Sequence, residues 1–169
     1  TATYGPASHP GKYTATGCHI VPGGNTVLSC FTVPGFGPFM AWKVSVSDAG
    51  TTVTKSVPGT TSYLPPAIEG IVSAAPSPTR GGADVVITGA NFGPTAAEDA
   101  TNVVSVQYVA PADGVTYQAQ ACTMVRAHFE LNCKTAPGVG RGHRWRVTVG
   151  AQSSDLSAAT TSYAAPAVV

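Results

Sequence analysis

The stretch LSCFTVPGFGPFMAWKVSV (28–46) returns, lightly edited, as LNCKTAPGVGRGHRWRVTV (131–149). Leu28, Cys30, Pro34, Gly35, Gly37, Trp42, Val44 and Val46 match Leu131, Cys133, Pro137, Gly138, Gly140, Trp145, Val147 and Val149 at an offset of 103. Outward from this block the match continues. Tyr4, Tyr13, Ala15 and Cys18 answer Tyr108, Tyr117, Ala119 and Cys122 at 104, and Tyr63, Pro66 and Ala67 answer Tyr163, Pro166 and Ala167 at 100. Two small changes in loop length account for the drift. The chain is a tandem array with a period near 100 residues, and that period governs every later reading.

The phase of the repeat is uneven. The second copy runs from Pro66 to Pro166, whereas residues 1–65 match only its latter part; nothing in them answers 66–102. The tail YAAPAVV (163–169) resembles YLPPAIE (63–69), which opens the second copy. The expected division is therefore 1–65 as the C-terminal part of one unit, 66–166 as a complete unit, and 167–169 as the start of a following unit or a tail. A unit without its opening strands exposes a sheet edge and part of a core. Flanking sequence or a neighbouring molecule is expected to supply them.

Within the complete copy, hydrophobic residues alternate in short runs. DVVITGANFG (84–93) sets Val85 and Ile87 on one face and Val86 and Thr88 on the other; VVSVQYV (103–109) aligns Val104, Val106 and Tyr108. VTYQAQA (115–121) turns Tyr117 and Ala119 inward, HFELNC (128–133) does the same for Phe129, Leu131 and Cys133, and RWRVTV (144–149) for Trp145, Val147 and Val149. With IEGIVSA (68–74), TTSYAA (160–165) and a turn at PADG (111–114), this makes seven short strands, the pattern of an immunoglobulin-type β-sandwich. The fold class expected is all-β, as tandem sandwiches with the first incomplete.

Composition supports strands and restricts function. Charged residues are 10% of the chain and the net charge is +1. That is no electrostatic footprint for nucleic acid, and no apolar run reaches the roughly 20 residues of a membrane span. The four cysteines form two near pairs, Cys18 with Cys30 and Cys122 with Cys133, at spacings foreign to zinc sites. Each pair is suited to closing a short loop by a disulfide, which implies an oxidising compartment outside the cell; four buried thiols are the alternative. Cys122 shares parity with the outward Gln118 and Gln120, so a bridge to the inward Cys133 requires a bulge or strand end just before Cys122.

The segment PAIEGIVSAAPSPTRGGADVVITGANFG (66–93) resembles the opening of IPT/TIG domains: Pro-x-Ile, a proline in a turn, Gly-Gly, then ITGxNFG. CTMVRAHFELNCKTAPGVGRGHRWRVTVG (122–150) is similar to the second half of extracellular members, where a cysteine pair brackets a hairpin. The resemblance implies an immunoglobulin-like fold; Gly89 and Gly93 bracket Asn91 and Phe92 where the strand bends into a loop, and Phe92 is expected to plug that end.

Little in the sequence suggests turnover. There is no G-x-S-x-G elbow, the four histidines do not recur between copies, and His9 and His143 stand in turn-like stretches where solvation is expected. Neither a catalytic residue, a metal site nor a cofactor is expected. Adjacent Glu98 and Asp99 are the one place considered for a cation, with a solvated loop as the default. The basic cluster RGHRWR makes Arg141, His143, Arg144 and Arg146 candidates for contact with an acidic partner or glycan, against a plain soluble sheet face. Phe36 and Phe39 are candidates for contact between neighbours if exposed, and for core if buried. No N-x-[ST] sequon occurs, and Ser77, Thr79, Thr51 and Thr52 are candidates for O-linked sugar.

The leading functional expectation is a non-catalytic structural or adhesive segment of a secreted or cell-surface protein. Its partners would be other subunits or neighbouring repeats, up to a homopolymeric fibre, with Pro65 and Pro66 keeping the linker extended. An accessory, carbohydrate-associated module of a secreted enzyme is the alternative. DNA binding is disfavoured by the charge.

Overall fold

The computed structural model describes residues 1–24, 26–110 and 114–167, the side chain of Thr60 excepted. Most of the PADG turn thus lies outside the described residues. Every regular element among them is a β-strand. The chain divides into two compact units, Thr1–Leu64 and Pro65–Val169.

The first unit holds β1 (Ala2–Gly5), β2 (Tyr13–Thr14), β3 (Thr16–Ile20), β4 (Leu28–Phe31), β5 (Met40–Asp48) and β6 (Thr51–Thr61). They form a four-stranded antiparallel sheet in the order β2-β1-β5-β6 and a separate hairpin, β3-β4. The second unit continues with β7 (Ala67–Ser73), β8 (Asp84–Ala90), β9 (Val104–Val109), β10 (Thr116–Gln118), β11 (Gln120–Arg126), β12 (Glu130–Lys134), β13 (His143–Val149), β14 (Gln152–Ser153) and β15 (Thr160–Thr161). One sheet runs β10-β9-β13-β14, with β15 also on β13; the other runs β11-β12-β8-β7.

The repeat explains the correspondence. β10-β9-β13 reproduces β2-β1-β5, and β11-β12 reproduces β3-β4. What the second unit adds is the β7-β8 hairpin, whose β8 pairs along β12 with Ile87 opposite Leu131 and Val85 opposite Cys133. Each sheet of the second unit buries one face: Val85, Ile87, Leu131 and Cys133 on one, Val106, Tyr108, Trp145, Val147 and Val149 on the other. Alternation produced this. Strand period two puts every second residue inward, and those positions carry Val, Ile, Leu and aromatic rings. Phe92 lies fully buried just past β8.

Two expected placements fail. Phe129 is exposed rather than inward. It sits in the turn before β12, after His128 at φ 67°, so the alternation of β12 does not extend back to it. His143 is not a solvated turn residue; it opens β13 in phase with Trp145 and is fully buried.

The cysteine parity has a simple solution. Cys18 bonds Cys30 and Cys122 bonds Cys133, leaving no free cysteine. The residue before each first cysteine is left-handed, Gly17 at φ 57° and Ala121 at φ 47°, and the strand register shifts there in both hairpins. One extra residue in the bulged strand turns the cysteine across to its partner.

Candidate functional site

Both units build one constellation around the residue before the Pro-Gly turn. In the second unit Tyr163 Oη donates to the Ala136 carbonyl at 2.6 Å, Tyr108 Oη accepts from the Ala136 N–H at 2.9 Å, and the two hydroxyls lie 2.5 Å apart. In the first unit Tyr63 Oη donates to the Val33 carbonyl at 2.6 Å, Tyr4 Oη accepts from Val33 N–H at 2.8 Å, and the hydroxyls are 2.9 Å apart. Proton counting closes each set into a ring. The amide donates to the first tyrosine, that tyrosine to the second, and the second back to the same residue's carbonyl. Bonds in such a ring polarise one another, and a loop residue has both backbone groups satisfied from the core.

The glycine that follows is dictated by this arrangement. A Cβ on Gly138 would stand 2.7 Å from Tyr117 Cε1 and 2.9 Å from Tyr163 Cε2; on Gly35 it would stand 2.6 Å from Tyr63 Oη and 2.8 Å from Tyr13 Cζ. The rings are held by their hydroxyl bonds and cannot yield cheaply. Gly138→Ala is therefore expected to destabilise the second unit by about 1–3 kcal/mol in urea titrations. Gly11→Ala, with open space around it, should stay within about 0.5 kcal/mol of the parent.

Burial, reinforced by the hydrogen bond to the partner tyrosine, holds Tyr63 and Tyr163 far above the ordinary phenol range. Burial also pushes Tyr108 up, against a downward pull from its bonds to Tyr163 and Ala136. A group that holds its proton more tightly when folded stabilises the fold below its unfolded pKa, about 10 for tyrosine. That contribution is lost as pH rises from there through the folded value. Stability should thus be insensitive to these groups up to about pH 10 and fall beyond it. Absorbance at 295 nm should show Tyr63, Tyr108 and Tyr163 ionising together with unfolding.

His143 belongs to the same neighbourhood. Its ring stands edge-on to Tyr108, Tyr117 and Tyr163 at centroid distances of 5.6, 5.5 and 5.3 Å, and Nδ1 lies 3.2 Å from the Thr161 carbonyl, to which it donates. It is core, not a surface contact. Arg144 is also spent internally: Nε and Nη2 donate to the Ser157 and Leu156 carbonyls at 2.7 and 3.1 Å. Of the basic cluster only Arg141 and Arg146 are exposed, so the four residues do not converge on one face.

The other candidates are scattered. Phe39 is 73% exposed in a left-handed conformation, whereas Phe36 is half-buried with Lys12 Nζ 4.1 Å above its ring. Ser77 is 2% exposed, donates its hydroxyl to the Ala74 carbonyl, and pairs its amide with Ser162; it is no acceptor for sugar while folded. Thr79, Thr51 and Thr52 remain exposed. Glu98 accepts from Thr95 N–H and Oγ1, which hold its carboxyl below the usual range, and Asp99 accepts from Thr101. Both carboxylates therefore organise their own loop. Among the described residues no group of three or more His, Cys, Asp or Glu converges as a metal site would, and no helix is long and apolar enough to cross a membrane.

Sequence reasoning missed Ser154 and Ser157, whose hydroxyls accept from Val147 and Trp145 N–H where a neighbouring strand would. The tyrosines had left a signal, since all four recur at repeat spacing. Comparison with protein-family models, curated proteins and solved structures found no match.

Proposed function

We propose that the chain is a non-catalytic structural or adhesive segment of a secreted or cell-surface protein made of tandem immunoglobulin-like sandwiches of the IPT/TIG kind, serving in an extracellular fibre or surface appendage. The observation that carries this reading is the duplicated clasp. Each unit spends two tyrosines and its Pro-Gly glycine on this clasp and its cysteine pair on a separate bridge within a hairpin, and most residues that recur between copies serve these fastenings or the core. The two disulfides suit an oxidising exterior. Exposed Arg141, Arg146 and Phe39 remain candidates for contacts with neighbours or glycans.

Imaging of the native assembly is the test. The expected image is a filament with an axial spacing that accommodates one or two sandwich units. Dispersed monomers at high concentration, or hydrolytic activity lost on mutation of exposed carboxylates, would remove the reading.

A further inference from the structure

Besides β6, which lies along β5 where the second unit has the short β14 and β15 on β13, the two units differ in what covers β4. In the second, β8 covers the inner face; in the first, the strands that would correspond to β7 and β8 are not among its six. Paired positions measure the consequence. Val149 is 1% exposed and its counterpart Val46 is 63%; Leu131 is 0% and Leu28 is 40%. Ala2, Leu28, Cys30, Trp42, Val44 and Val57 line an open groove of about 450 Å³ between β3-β4 and the larger sheet. On the side away from β3, β4 has no partner strand among the described residues.

We propose that this groove is a receptor for a β-hairpin of the β7-β8 kind, with a Val-x-Ile strand laid along β4. The inference rests on the tandem-repeat reading and names the partner that reading requires. The second unit displays the occupant. β8 runs antiparallel to β12 with Ile87 opposite Leu131 and Val85 opposite Cys133. Transposed by the repeat offset, a donor strand sets an Ile opposite Leu28 and a Val opposite Cys30. Its main chain continues the β3-β4 sheet, and its inward side chains fill the space over Trp42 and Val44. This is recognition by strand addition, with backbone bonds giving affinity and alternate side chains giving specificity. A second copy of this chain is the poorer donor. Its own hairpin has Val85 and Ile87 fully buried in its own second unit, so lending it opens one groove for each one closed.

The test grafts a copy of residues 66–104 directly ahead of Thr1, which restores the order of strands found in the second unit. The β4 amides that do not pair with β3 should gain at least tenfold protection from hydrogen exchange. Trp42 emission should shift to the blue, and the first unit's melting temperature should rise by roughly 10 °C. The same graft with Val85→Asp and Ile87→Asp in the added copy should lose all three effects. A synthetic 66–93 peptide added to the unmodified chain gives an independent reading: it should bind, and Leu28→Asp should weaken it at least tenfold. The proposal is overturned if the grafted chain leaves β4 unprotected, if the double-aspartate graft protects as well, or if the unmodified chain is a dimer with those amides already protected. None of these readouts requires a filament, so absence of filaments in native material would defeat the fibre reading and leave this one standing.

Discussion

Trp145→Ala is expected to cost the second unit about 3–5 kcal/mol, the range for deleting a large buried aromatic. The ring is fully buried, stacks on Tyr108 at 4.3 Å, and donates from Nε1 to Thr161 Oγ1 at 3.0 Å. Its loss leaves a cavity between the sheets, frees the Tyr108 ring and strands a buried hydroxyl. Trp42 makes the same stack on Tyr4 at 4.4 Å and the same bond to Thr61 at 2.8 Å, but it lies half-exposed beside the groove. Less area leaves water when the first unit folds, so Trp42→Ala should cost only about 1–2 kcal/mol. Denaturant melts followed by far-ultraviolet circular dichroism give both values. Each variant keeps the other tryptophan as a fluorescent reporter of the undamaged unit. Equal losses would mean that the first unit's core is as closed as the second's.

Removing the Cys122–Cys133 bridge, as Cys122→Ala with Cys133→Ala, should lower the stability of the second unit by about 3 kcal/mol. This follows from the entropy of a closed loop of that size, with partners 11 residues apart. The double variant avoids an unpaired thiol at Cys133, which is buried. The bridge spans two hydrogen-bonded strands, so the native hairpin should persist without it. The loss should appear as a shifted denaturation midpoint with little change in the folded spectrum. A variant as stable as the parent would show that β11 and β12 are already tied in the unfolded chain.

The two faces of β8 and β9 and the inward face of β13 were legible because each is a run of strict alternation, and parity alone called for a bulge or a strand end before Cys122, which the structure resolves as a bulge at Ala121. What was illegible depended on distant partners or on where a strand starts. Ser77 reads as an exposed loop serine until Ser162 and Tyr163, at the far end of the unit, are seen to cover it. Arg144 has the parity of an outward residue, but the chain between β14 and β15 folds back under its guanidinium. His143 had the parity of Trp145 all along; the glycines before it argued for a turn, and the strand begins one residue earlier than they suggest. The tyrosine rings were visible only as repeated letters. Nothing in a sequence says that two hydroxyls will close on one peptide group.

The sulphur bridges lie within a hairpin in both units, joining strands that are already neighbours. They leave the two sheets of a unit without a disulfide between them, joined only by the main chain that passes from one to the other. Under tension applied at the chain ends, a unit can therefore yield by shearing its layers apart and pay out nearly its whole contour length. Only the stretch between the cysteines, about 40 Å if fully drawn out, stays locked. Stretched singly, each unit should therefore lengthen by its contour length less that stretch, and by the full contour once the bridge is reduced.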